Sequence, residues 1–269
     1  MATGVELAAR FGYGARGFVY LSAGLIILLS SADLVDGAVG TRGAIAWLGI
    51  QPLGRAWLFL LGVGLTAFLS WRVMQSVFDA DHEGRSWQGV NTRISQAFSG
   101  LGYGFLAISA FSLLIHTPPD PALAEAQDGV DQARRVLSLP LGNWLLVGIG
   151  LCIGGVGVAN VVKAWREDFT EYLSCSVDLC RRVAPLARIG YMARGLAWLP
   201  LSALVIAAGL HAEAAQVTGF GGALDAVDRQ VAGPWLLGAG ALGFIAFGVF
   251  SFVEARFRRI RPPREIVSA

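Results

Sequence analysis

Charge is what this sequence has least of. Only 15% of its 269 residues are Asp, Glu, Lys or Arg, where a soluble domain carries about 25%, so too little polar surface is on hand for folding in water. The composition is 55% hydrophobic, the mean hydropathy is +0.58, and several apolar runs reach the length of about 20 residues that a bilayer crossing requires. A net charge of +2 speaks against a nucleic-acid partner, and the placement of charge matters more than its sum. Cysteine is scarce as well. Three residues and no CxxC exclude a disulfide framework. Cys152 lies in an apolar run, while Cys175 and Cys180 fall on a link expected in the cytoplasm, where thiols stay reduced. With three histidines and no Ser/His/Asp or Cys/His arrangement, nucleophilic catalysis has no support, and the expectation is a protein that is not an enzyme and needs no cofactor. The first nine residues hold Glu6 and no basic residue, unlike a signal peptide, so the first apolar run reads as a retained helix.

What is present is an echo. Gly12-Tyr13-Gly14-Ala15-Arg16-Gly17 returns as Gly190-Tyr191-Met192-Ala193-Arg194-Gly195, with Arg10 and Arg188 each six residues ahead of the motif's own arginine. A weaker third copy starts at Arg93, with Ser99-Gly100 in place of Arg16-Gly17 and Gln96 in place of the tyrosine. An internal repeat governs every later assignment. Six spans follow, at about 14–31, 54–77, 97–116, 141–162, 189–210 and 231–252. Trp57, Trp144 and Trp235 open the second span of each copy, closely preceded by Gly54, Gly142 and Gly233. Nineteen residues after Trp144 and Trp235 stand Lys163 and Glu254, and eighteen after Trp57 stands Gln75, so one gap aligns all three. The repeats are 1–92, 93–186 and 187–260, with a tail at 261–269.

Orientation follows from arginine. The connections inside the repeats, 31–52, 117–140 and 211–232, hold four basic residues (Arg42, Arg134, Arg135, Arg229) against nine acids, while the other seventeen Lys and Arg lie elsewhere. Basic flanks stay inside, so both termini are expected in the cytoplasm. Val217, Phe220, Leu224, Val227 and Val231 form a helical stripe in the third connection, as do Leu123, Val130, Ala133 and Leu137 in the second; both read as short amphipathic helices capping the bundle. The link at 169–184 carries a similar stripe, Phe169, Leu173, Val177, Cys180 and Ala184.

The repeats, the Gly-Tyr-x-Ala-Arg-Gly copies and the ending from Trp235-Leu-Leu-Gly through Gly243-Phe-Ile-Ala-Phe-Gly248 to Glu254-Ala-Arg256-Phe-Arg-Arg259 resemble the bacterial membrane family filed as domain of unknown function 1206. The resemblance runs from about Ala8 to Ile260 and implies three copies of a two-helix unit, without an activity. The expected fold is an all-α integral membrane protein of six transmembrane helices, three parallel helical hairpins around a pseudo-threefold axis. Parallel repeats lack the inverted symmetry suited to rocking around a midplane site.

Several constellations then ask for a role. Arg16 and Arg194 stand at span starts, where long side chains reach lipid headgroups. Arg72, Asn160, Lys163, Ser251 and Glu254 give each copy a small polar face, and Lys163 and Glu254, at equivalent positions, are placed to pair across an axis. Gly150 and Gly154 share a face suited to close helix packing. The loop from Asp79 to Gly84 has acids at calcium-loop spacing but Val90 where the bidentate glutamate belongs, so it reads as a solvated turn. Asp33, His116 and His211 each lie sixteen residues beyond a motif glycine; two imidazoles and a carboxylate are a zinc or iron ligand set, against the plainer reading that polar residues mark where helices leave the membrane. The function expected is that of a polytopic bacterial plasma-membrane protein in structural, assembly, lipid-binding or partner-binding work, its partners being membrane lipids and a membrane protein complex. A small channel or carrier is the alternative.

Overall fold

The computed structural model describes residues 2–32, 34, 40–84, 86–116, 120–230 and 232–260, nearly all of them helical and none in a strand. Each repeat is a span, a short connecting helix and a second span: α1 (Ala2–Ser31), α2 (Thr41–Gly49) and α3 (Gly54–Val77); α4 (Trp87–Leu113), α5 (Pro121–Leu137) and α6 (Gly142–Arg166); α7 (Val177–His211), α8 (Gly219–Asp228) and α9 (Gly233–Phe257). Six helices, α1, α3, α4, α6, α7 and α9, are long and apolar enough to cross a bilayer. The amphipathic stripes of the second and third connections are α5 and α8, with Ala133, Val217 and Leu224 buried; Val231 lies outside the described residues. Helix α2, with Ala44, Ile45 and Leu48 buried, completes the set. α5 touches both α2 and α8, and the three close the end of the bundle opposite the termini.

The glycines ahead of the aligned tryptophans have a structural reason. Gly54, Gly142 and Gly233 each follow the sharp corner from connecting helix to span, where a Cβ would collide with the carbonyl of Gly49, Val136 or Asp228. Leu53 and Leu141, the residues before two of them, take the left-handed conformation, φ 62 and φ 59.

The first span of each repeat starts earlier than its apolar run. α4 begins at Trp87 because the Ser86 hydroxyl accepts from Gly89 N at 3.1 Å, and α7 begins at Val177 under the same cap from Ser176. The link at 169–184 is therefore not a helix of its own: Phe169 and Leu173 are core residues of a loop, while 177–184 is the first part of α7, with Val177 exposed.

Helix neighbours follow one rule. The second span of each repeat packs against the first span of the next, α3 on α4, α6 on α7 and α9 back on α1. Small residues set two of these seams: a Cβ on Gly17 would lie 2.9 Å from the Gly248 carbonyl, and one on Gly195 2.7 Å from the Gly157 carbonyl. At the α3–α4 seam Leu69 stands where Gly248 and Gly157 stand, and Gly100 meets it and Arg72.

Inside the hairpins the repeats differ. Gly12 sits against the backbone of Phe68 and Gly190 against that of Phe247, both with Cβ positions 2.7 Å away, and Gly64 meets Ala15 as Gly243 meets Ala193. The corresponding residues of the second repeat are Ser95, Phe98 and Cys152. Larger side chains stand at these positions, Phe98 and Cys152 are exposed, and α4 and α6 scarcely touch. The row of spans is α4–α3–α1–α9–α7–α6, open between its two ends.

Candidate functional site

The polar groups of the spans gather toward the termini, inside an aromatic frame. Tyr13 and Phe68 meet edge-on at 5.0 Å, Phe68 and Tyr103 at 4.7 Å, Tyr20 and Phe247 at 4.7 Å, and Tyr191 and Phe247 at 5.1 Å. Arg16 lies in this frame, 1% exposed, its guanidinium carbon 4.9 Å from the Tyr13 ring centre, 5.1 Å from Phe68 and 5.0 Å from Phe247. Because α1 begins at Ala2, Arg16 is four turns into the helix and turned inward. It does not reach headgroups, as its place at the start of an apolar run suggested.

From Arg16 a network runs through all three repeats. Its Nε donates to Ser251 Oγ at 3.1 Å, and a terminal nitrogen donates to Glu254 Oε2. Arg258 donates to Glu254 Oε1 at 2.8 Å and to Asp81 Oδ2 at 3.1 Å. The same Asp81 oxygen accepts from Gln75 at 2.6 Å and Gln96 at 3.4 Å, and Gln75 Oε1 accepts from Arg72 at 3.1 Å. Burial disfavours the charged form of Arg258, but Tyr13, Asp81 and Glu254 more than offset it and raise its pKa above the usual value. Asp81 belongs to the loop that read as a solvated turn. That loop is ordered by its own acids: Asp79 accepts from Glu83 N at 2.8 Å and Gly84 N at 3.0 Å, and Tyr172 donates to Glu83 at 2.9 Å.

Lys163 and Glu254 do not pair. Lys163 bridges to Glu167 at 3.0 Å, one turn along its own helix, and lies over the Tyr191 ring. Equivalent positions share a height, but each second span faces the next repeat's first span, so Glu254 meets Arg16. Asn160 Nδ2 turns back to the Val156 carbonyl at 2.8 Å. Arg194, equivalent to Arg16, stacks on Tyr20, Tyr103 and Phe247 at 5.4, 5.9 and 5.2 Å, without an ion pair to any described residue.

At the opposite end, His116 is exposed on the rim of a cleft of about 240 Å³ that Arg42, Ser112, Glu125 and Asp128 also line. His211 is exposed, with Nδ1 2.9 Å from the Ala207 carbonyl. Asp33 lies outside the described residues, and among those described no three His, Cys, Asp or Glu side chains form a metal-binding group. The buried acid at this end is Glu125, which accepts from Gly40 N at 2.9 Å and Gly43 N at 3.1 Å at the start of α2. Burial pushes its carboxyl above the usual range, against those N–H groups and Arg42.

Cys175 and Cys180 are joined as a disulfide rather than free thiols. Cys175 precedes the Ser176 cap and Cys180 lies within the first turn and a half of α7, bringing the Cα atoms to 5.8 Å, within bonding geometry. Cys152 is free and exposed in the open hairpin.

Comparison with known proteins agrees with the repeats. The family model described as Domain of Unknown Function (DUF1206) matches three times, at residues 11–79, 94–167 and 189–258. A relative in Bacillus subtilis (strain 168), "Uncharacterized protein YxxB", is 25% identical over 264 residues, covering 95% of this chain and 92% of the relative. No solved structure matches. With its three matches covering most of an all-helical chain of six apolar spans, the protein belongs to the DUF1206 family.

Proposed function

We propose that this is a non-enzymatic protein of the bacterial plasma membrane that works by binding in the plane of the bilayer, with both termini in the cytoplasm. The observation that carries the reading is the open second hairpin. The first and third hairpins are closed by Gly12 and Gly190, and the second presents Phe98 and Cys152, both exposed, to whatever lies alongside. A lipid is the ligand that a gap facing the bilayer meets first.

The polar network supports binding over conduction. Arg16, Ser251, Glu254, Arg258 and Asp81 are spent on one another and walled by Tyr13, Phe68 and Phe247. Toward the cap the core is Ala23, Ile26, Ala44 and Ala241, with Ser202 the buried polar residue near mid-span and its hydroxyl given to the Gly150 carbonyl at 2.8 Å. Such a core offers an ion no polar track. The inward placement of the termini rests on the four-against-seventeen division of basic residues.

An anion carrier is the second reading, favoured by one observation: Arg72 and Arg194 have no carboxylate partner among the described residues. Reconstitution in liposomes separates the two. The binding reading expects no protein-dependent flux of chloride or phosphate, and co-purified lipid in mass spectra of mildly extracted protein. Flux that is lost in the Arg72→Gln/Arg194→Gln double variant would establish the carrier instead.

A further inference from the structure

Arg194 is the group that the internal interactions leave over. Arg16 finds Ser251 and Glu254 on the span packed against it. The span packed against Arg194 is α6, and its corresponding residues are Asn160 and Lys163. Asn160 is turned back on its own helix and Lys163 is held by Glu167, so a cation stands where a carboxylate is needed. Arg194 keeps three ring contacts but donates no hydrogen bond to a described residue, and its Nε is shut away without an acceptor. The side chain retains partial exposure, so its terminal nitrogens are not sealed in.

The second repeat carries smaller residues at this height. Where the other second spans present Phe68 and Phe247, α6 presents Val156, and where Arg16 and Arg194 stand, α4 has Ser99. α4 and α6 scarcely touch, and Arg194, on the span packed against α6, lies 5.9 Å from Tyr103 of α4. In the aromatic frame Arg16, Arg72, Arg194 and Arg258 meet two acids, Glu254 and Asp81. A guanidinium with free donors in a membrane interior is a site awaiting an acceptor, and its planar fork matches two phosphate oxygens.

We propose that the α4–α6 gap holds an anionic phospholipid, its phosphate on the Arg194 guanidinium and its acyl chains along Phe98 and Cys152. The assignment rests on the binding reading above and names its ligand. Phospholipid is favoured over free phosphate because both helices carry exposed apolar side chains, Phe98 and Phe105 on α4 and Ile149 on α6.

The test uses the full chain, purified in mild detergent, delipidated and titrated with phosphatidylglycerol or with phosphatidylcholine of the same chains, bound lipid being counted by native mass spectrometry. Wild type should prefer phosphatidylglycerol by about tenfold or more, because both lipids offer the phosphate oxygens but the choline cation of phosphatidylcholine meets the arginines with like charge. Arg194→Gln should remove that preference, Arg194→Lys should keep part of it, and Arg134→Gln, on the exposed face of α5, should leave it intact. Cys152→Trp, which fills the gap without touching the arginine, should reduce binding of both lipids and serves if Arg194→Gln does not fold. An unchanged preference in Arg194→Gln, or unchanged binding in Cys152→Trp, would overturn the site. Inorganic phosphate at millimolar concentration should not displace the lipid; full displacement would mark a free-anion site and overturn the lipid assignment. Phosphate flux in liposomes with lipid preference intact would instead sink the binding reading and leave the site standing.

Discussion

Replacing Glu254 by glutamine tests the centre of the network. Its two oxygens receive Arg16 and Arg258, and the side chain is almost fully buried. Glutamine keeps the shape and one acceptor oxygen but removes the charge, leaving Arg16 facing Ser251 alone inside its ring cage. Breaking a buried pair by removing one partner costs about 3–5 kcal/mol, because the remaining charge is stranded. For a chain of this size that corresponds to a fall in Tm of about 10 °C, readable by heating detergent-solubilised protein and following the monodisperse fraction. Glu171→Gln, on the exposed loop nearby, should change Tm by little. The decisive arm is the double variant Arg16→Met/Glu254→Leu. Removing both charges in favour of apolar side chains should restore part of the loss, since desolvation of the pair is relieved together with its attraction while Arg258 keeps Asp81 alone. A Glu254→Gln protein that melts within about 1 °C of wild type would refute the claim that this carboxylate holds two arginines in place.

Gly157→Leu should destabilise strongly, because a Cβ there would already lie 3.0 Å from the Gly195 carbonyl, whereas Gly155→Leu meets open space; equal melting temperatures would disprove close packing at the α6–α7 seam. Gly154→Leu, whose Cβ would meet the Ser202 hydroxyl at 2.7 Å, should likewise melt below a Leu151→Ala control at a 61% exposed site. Reporter fusions after Ile260 and within 79–90 should read as cytoplasmic and fusions near Asp120 or Glu213 as external; an external C-terminus would reverse the topology. The cap should weaken as pH rises. Burial raises Glu125 above its ordinary 4.5, and a carboxyl raised in the fold contributes stability below that value which is lost as pH climbs through the folded pKa; Glu125→Gln should flatten the pH dependence of melting on the acid side of neutrality, and an unchanged slope would refute it.

Much of the scaffold is legible in the sequence because it rests on spacing. Gly54, Gly142 and Gly233 ahead of aligned tryptophans mark corners that admit no Cβ, and the Leu224 stripe is a helix because its period is helical. Helix α2 escaped the reading although Ala44, Ile45 and Leu48 carry the same period. The depth of Arg16 escaped because an apolar run was taken to begin where the helix begins, while Glu6 and Arg10, four apart and bridged at 2.7 Å, already extend α1 toward its start. Asp81 and Arg258 carry no periodic signal. One sits in a loop and the other at a helix end, and only the fold brings them to 3.1 Å. The expected Lys163–Glu254 pair failed for a geometric reason: equivalence gives equal height, but packing joins each span to the next repeat.

That offset explains why the second repeat departs from the other two. If all three copies carried the arginine, three guanidiniums would crowd one aromatic frame, each needing a carboxylate from the span behind it. The chain supplies that carboxylate once, at Glu254, for Arg16. Arg72 stands at the height of Ser251, on the span packed against α4, and an arginine at position 99 would face it; Ser99 removes that like-charge conflict. Lys163 stands at the height of Glu254, and Arg194 behind it keeps its charge with no acid among the described residues to meet it. Ser95, Phe98 and Cys152 meanwhile keep the second hairpin from closing. A sequence that needed only a stable bundle would gain by placing a glutamate at 163 and glycines at 95 and 152, as its own other copies show. The open hairpin is that of the second repeat and the unmet charge stands on α7, packed against its second span, and the proposed anionic lipid accounts for both with one molecule.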